Sequence, residues 1–207
     1  MPTQLRNRWE NRSEPAVGQG TVYWHMLLGR YPEVQEAAEA AQKRLSGISG
    51  LHLTPLRWLH MTTLVVGALD EVSREQMEEM TRIASEKLAS TAPIPVTLGR
   101  VIYHPEAVML GIRPEAALNP ILEATQEATR AVMGKEGEIN SGATWTPHMT
   151  LCYSESDQPA APIVAALGKE LPRCDVTIDR VNLVVQHGPE RLWDWEPVGA
   201  AELRGTR

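Results

Sequence analysis

Short runs of alternating or continuous apolar residues are separated by stretches with helical spacing, and the order of these stretches occurs twice. One run ends in Met26-Leu27-Leu28-Gly29-Arg30-Tyr31-Pro32-Glu33, and a second in Met109-Leu110-Gly111-Ile112-Arg113-Pro114-Glu115. In both, a strand ends at an Arg and a Pro-Glu pair opens a helix. Pro suits the first helical position, and Glu suits the positive N-terminal end. Val34, Ala37, Ala38, Ala41 and Leu45 then line one buried helical face, as do Leu118, Ile121, Leu122, Thr125 and Val132. Further strands are predicted over Arg57–Val66 and around residues 147–151. A helix should follow each, from about Glu71 to Leu88 and from about Pro162 to Leu171. Closing strands are predicted over Ile94–Val101, Ala107–Ile112, Asp175–Ile178, Val181–Gln186 and Trp193–Pro197.

This order, strand–helix–strand–helix–strand twice over, predicts an α+β fold. The expectation is a duplicated bilobal domain with a mostly antiparallel central sheet or pair of sheets, helices outside and a cleft between the lobes. Residues 1–18 are polar and aperiodic, and read as an extended N-terminal arm that Trp9 can pin to the body. Residues 19–207 then form one domain, with lobes of about 19–105 and 106–200. The Arg-rich end, Arg204–Arg207, is expected to fray.

Composition narrows the function. With 207 residues, 43% of them hydrophobic, the chain can bury an ample core. The net charge of −6 and the lack of a basic run argue against a binder of long nucleic acid, while leaving room for a small nucleotide or a short RNA terminus. No apolar run is long enough to span a membrane. Two cysteines, Cys152 and Cys174, read as thiols of a reducing compartment, so a cytoplasmic location is expected.

The chemistry lies in a motif written twice, Leu59-His60-Met61-Thr62-Thr63-Leu64 and Pro147-His148-Met149-Thr150-Leu151. Along a strand, residues i and i+2 share a face, so each run sets an imidazole beside a hydroxyl. By strict alternation Trp58, His60, Thr62, Leu64 and Val66 share one face and Thr63 points away. Cys152 likewise falls on the face of His148 and Thr150. A single His-Xaa-Thr reads best as a core histidine beside a β-forming threonine; two copies at matching places in a repeat reverse that reading. Neither His has Glu-Xaa-Xaa-His or Cys-Xaa-Xaa-Cys spacing around it, and His25, His52 and His104 add no informative ligand spacing, so no metal and no cofactor is expected. Tyr23, Trp24 and His25 lie in the opening strand, where only one parity can face a cleft. Trp58 could stack on a ring, Trp145 is opposite in parity to His148, and Arg30, Arg100 and Arg113 stand near strand ends.

Paired His-Xaa-Thr motifs, one per half of a duplicated α+β domain, resemble the two-histidine (2H) phosphoesterase superfamily. Within it the bacterial 2′-5′ RNA ligase-like proteins are the nearest likeness, over about Gly20 to Pro197. The resemblance implies a bilobal, metal-independent enzyme acting on 2′,3′-cyclic phosphates or 2′-5′ linkages. It makes His60 and His148 the catalytic histidines and Thr62 and Thr150 the phosphate-contacting hydroxyls. Apart from the resemblance, His25, Trp58 and Tyr153 are candidate substrate contacts. The chain departs from the family at Thr63, where an apolar residue is usual. It departs again at Tyr153, where many ligase-like members carry a basic residue. The expected function is hydrolysis of a nucleotide phosphodiester, with one histidine as base and the other as acid in an order the sequence leaves open, and with 2′-5′ ligation as the reverse reaction. A non-catalytic binder of a phosphorylated nucleotide ligand on the same fold is the rival reading, and a purely structural repeat is a third.

Overall fold

The computed structural model describes residues 1–10, 12–13, 15–16, 18–139 and 145–206. Four helices have the predicted origins with sharper ends. α1, Pro32–Leu45, carries Pro at its start and buries Val34, Ala38, Ala41 and Leu45. α2, Arg74–Leu88, begins three residues later than expected because Ser73 and Gln76 form a reciprocal capping box. α3, Asn119–Met133, is preceded by a 3-10 turn over Glu115–Leu118, so Pro114-Glu115 opens that turn and Pro120 opens the helix. α4, Ala161–Leu167, stops at Gly168, whose positive φ (73°) ends the helix before the expected Leu171.

The strands form two main antiparallel sheets. The first has the order β11 (Trp195–Glu202), β10 (Arg180–His187), β2 (Gly20–Leu27), β4 (His60–Ala68). The second has the order β3 (Leu51–Leu53), β7 (His148–Ser154), β6 (Ala107–Arg113), β5 (Ile94–His104), β9 (Glu170–Ile178). Both sheets draw strands from both halves of the sequence, so the lobes expected at about residues 19–105 and 106–200 are interleaved in space. The helices cross over as well. α1, which follows β2, packs against β7 and β9 of the second sheet beside α4. α3, which follows β6, packs on β4 of the first sheet beside α2. Buried Trp24 on β2 donates its indole N–H to Thr129 of α3 at 3.2 Å, so this crossover satisfies a donor that burial would otherwise strand.

Strict alternation fails on both motif strands. His25 pairs with Thr62 and Trp24 with Leu64, leaving Thr63 as an extra residue. Met109 pairs with Thr150 and Val108 with Cys152, leaving Leu151 as an extra residue. Each is a bulge, which breaks the ladder and resets the parity beyond it. Leu64 and Val66, expected on the face of His60, are therefore packed in the main core, as is Cys152. Thr63, expected to point away, borders the groove between the sheets, and Tyr153 faces that groove. The strand predicted from Arg57 starts only at His60, because Leu56–Trp58 is a 3-10 turn. Gly29 fixes that turn. Its N–H donates to Leu59 O at 2.8 Å, and a Cβ there would lie 2.5 Å from the carbonyl oxygens of Leu56 and Arg57.

The N-terminal arm is not free. β1 (Gln4–Leu5) pairs with β8 (Gln158–Pro159), and Leu5 is 1% exposed in the main core. The C-terminal end is also tied as far as Gly205, whose N–H donates to Thr91 O at 2.9 Å. Among the described residues, no helix is long and apolar enough to cross a membrane. Leu5→Ala should loosen the arm by removing most of a buried side chain. Tryptic cleavage after Arg6 and Arg8 should quicken by roughly tenfold or more before global unfolding; an unchanged rate would mean that Leu5 does not hold the arm.

Candidate active site

The helix-free faces of the two sheets border a groove, and each contributes one His-Xaa-Thr. His60 and Thr62 come from β4 at the edge of the first sheet, and His148 and Thr150 from β7 in the second. The motifs thus lie in different sheets and not on adjacent strands of one sheet. All four side chains line one cavity of about 420 Å³, together with Arg8, Arg12, Thr63, His104, Trp145, Tyr153 and Glu190.

The two imidazoles are held alike. His60 Nδ1 stands 2.9 Å from Trp58 O, and His148 Nδ1 stands 2.7 Å from Thr146 O. A carbonyl can only accept, so each Nδ1 carries the proton and the Nε2 lone pair is left free. The grip comes in each case from the residue two before the histidine, so the repeat extends to tautomer control. His60 sits among aromatic rings, with Trp195 edge-on at 4.2 Å and His25 at 4.6 Å between centroids. Burial there pushes the His60 pKa down to about 4, the Trp58 carbonyl and Glu190 raising it in part and His148 lowering it further. His25, 2% exposed, is driven well below its ordinary value, first by burial and then by His60. Half-buried His148 is lowered by burial, and the Thr146 carbonyl opposes the shift.

The remaining expected contacts divide. Tyr153 lines the cavity and donates its hydroxyl to Glu190 at 2.9 Å. His25 lines an adjoining chamber with Tyr23, while Trp24 is in the core. The Trp58 side chain borders neither cavity; it packs against Trp195 at 5.5 Å, and its carbonyl orients His60. Trp145 enters the cavity and donates its indole N–H to Thr62 O at 3.1 Å. Arg30, Arg100 and Arg113 are engaged with Asp179, Glu115 and Glu170 away from the groove. Cys152 is fully buried, and its thiol is pushed up to about 12 by burial. Among the described residues no group of three or more His, Cys, Asp or Glu is placed to hold a metal ion.

Sequence reasoning missed the cations. The arm lays Arg8 over the Tyr153 ring, 4.2 Å from its centroid, so a guanidinium stands beside the position where a basic residue was expected from the motif strand itself. Arg8 is fixed by Glu190 at 2.7–3.0 Å, and Arg12 reaches Glu106 at 2.6 Å. The polar arm carried one signal, Leu5 followed by Arg8-Trp9, but no periodicity to say where it docks.

A family model described as the 2′-5′ RNA ligase superfamily matches residues 25–190. No curated protein matches. Among solved structures, TT0787 of Thermus thermophilus is 18% identical, with 90% of this chain and 100% of that one covered and a TM-score of 0.71. E. coli LigT, crystallised with 3′-AMP, is 15% identical over 92% of this chain and 99% of its own, with a TM-score of 0.67. The PDE domain of MHV ns2 is 12% identical, with coverage of 76% and 97% and a TM-score of 0.55. At such identities the likeness to these structures is one of fold.

The buried histidines make stability depend on pH. His60 has a lower pKa folded than unfolded, so below about 6.5 the unfolded chain binds more protons. Its contribution is complete above 6.5 and is lost as pH falls toward 4, a loss on the order of 3 kcal/mol for this group. Urea unfolding at pH 7.5 and 4.5 should show the loss, and His60→Gln should flatten the slope. Equal slopes for the two proteins would remove His60 as its source.

Proposed function

The chain belongs to the 2′-5′ RNA ligase superfamily, and we propose that it is a metal-independent phosphodiesterase acting on 2′,3′-cyclic phosphate or 2′-5′ phosphodiester bonds of small nucleotides or short RNA ends. One observation carries the reading. Two imidazoles with the same nitrogen tied back, each paired with a threonine, border one cavity. A cavity of about 420 Å³ is of the size that takes a nucleotide-sized ligand.

The environments of the two histidines favour one division of roles. His60, lowered to about 4, is neutral over most of the pH range and serves as base, its Nε2 taking the proton of the attacking water. His148, half-buried and open to solvent, takes up the proton that its Nε2 delivers to the departing ribose oxygen. The water oxygen bonds to phosphorus, the bond to the ribose oxygen breaks, and the products are a phosphomonoester and a free hydroxyl. Thr62 and Thr150 donate hydrogen bonds to the non-bridging oxygens as charge builds on the phosphorane. Arg8 and Arg12 bring guanidinium groups to the cavity wall, where they can meet an anionic substrate. With a ribose 5′-hydroxyl in place of water, the same steps on a 2′,3′-cyclic phosphate break the bond to the 3′-oxygen and leave a 2′-5′ bond.

The purified protein should hydrolyse 2′,3′-cyclic nucleotides or 2′-5′ dinucleotides in EDTA. His60→Ala and His148→Ala should each lower kcat by about 10²–10⁴-fold, and Thr62→Val and Thr150→Val by about 10²–10³-fold. A chelator-sensitive activity restored by a divalent ion would overturn the metal-free reading.

The pH profile tests the assignment of base and acid. kcat/KM should rise as His60 loses its proton near pH 4 and fall as His148 loses its own somewhat below 6.5. The kcat profile should lie higher, since a bound anion favours both protonated forms. A kcat/KM maximum above pH 8 would sink this assignment.

A further inference from the structure

The groove has a second chamber that the reaction above does not use. Its volume is about 200 Å³, and it shares Arg8, Arg12, His60, Thr62 and Glu190 with the first. The formally charged side chains are all among the shared ones, so they stand at the junction. Beyond it lie Trp9, Tyr23, His25 and Trp195, with Thr21 and Gln186. Burial keeps His25 neutral and raises the Tyr23 phenol, so this part of the wall is aromatic, polar and uncharged. Such a lining accepts a flat neutral ring and offers nothing to a second phosphate.

Gln186 stands out in this wall. It is 5% exposed, on the central strand β10, between Thr21 of β2 and Trp195 of β11. Its backbone belongs to the ladder, yet its amide has no side-chain hydrogen-bond partner among the described residues. Its polar atoms are not sealed off, so they open on the chamber that the residue lines. An amide that opens on a chamber exchanges water for a ligand that offers an adjacent donor and acceptor. The hydrogen-bonding edge of a nucleobase offers such a pair, and the aromatic side chains of the wall suit a flat ring.

We infer that Gln186 reads the edge of a nucleobase held in the second chamber and joined through its ribose to the phosphate between His60 and His148. The inference rests on the reaction proposed above and narrows its substrate class to nucleotides and RNA termini selected by their base. Trp9 closes this chamber from the N-terminal arm, so the arm is part of the specificity device and not an appendage.

The test compares the 2′,3′-cyclic phosphates of adenosine, cytidine, guanosine and uridine with a base-free diester, glycerol 1,2-cyclic phosphate. For the unaltered protein kcat/KM should spread about tenfold or more across the four bases. Gln186→Met, which keeps length and removes the amide, should compress the spread to about twofold, mainly through KM, and leave the base-free rate unchanged. Gln186→Ser gives a second variant, and because each ratio is taken within one protein, losses from poor folding cancel. No spread in the unaltered protein, or a spread that survives both substitutions, overturns the inference while the reaction stands. No hydrolysis of any cyclic diester or of any 2′-5′ dinucleotide overturns the reaction itself, and activity on 2′-5′ dinucleotides alone moves the same base comparison to them.

Discussion

A strand that must feed both a polar groove and an apolar core cannot do so by simple alternation when its sequence turns apolar on both parities. Both motif strands escape by one extra residue, placed directly after the threonine. Before the bulge, His and Thr face the groove. After it, Leu64 and Val66 on one strand and Cys152 on the other enter the core. The site depends on this break in register, since without it each strand would have to choose between presenting its imidazole and burying its aliphatic end. Its recurrence at the same place makes it as much a part of the repeat as the histidines are.

What could be read in advance follows from which signals are local. Helical spacing located α1 to α4, because Val34, Ala38, Ala41 and Leu45 must share a face whatever surrounds them. The capping at Ser73 and the stop at Gly168 were also written locally, and reading them would have trimmed two helices correctly. The bulges were illegible: Thr63-Leu64 and Leu151-Cys152 are acceptable on either face, so no periodicity is violated at the sequence level. The assignment of strands to sheets was illegible too, because adjacency along the chain does not say which sheet a strand joins. The two His-Xaa-Thr runs were recognisable because each carries its own geometry, and Arg8 was missed because its place depends on how a polar arm docks.

The distribution of charge and aromaticity in the groove has a single logic. Cations gather at the junction, held in place by Glu106 and Glu190. Rings gather around His60 and strip it of water, which sets its proton affinity apart from that of the more open His148. One fold thereby obtains two chemically different histidines from two copies of one motif.

The interleaving of the two sheets also governs when the protein can become active. His25 of β2 is flanked by Thr62 on one side and by Asn182, from near the other end of the chain, on the other. The first sheet therefore cannot close while the chain is still being synthesised through its middle. The long-range pairing that closes it is of the kind that slows folding. The second sheet is likewise incomplete without β9. A nascent or prematurely terminated chain can carry both histidines and still have no groove, so the cavity that gathers them is absent until translation is nearly finished.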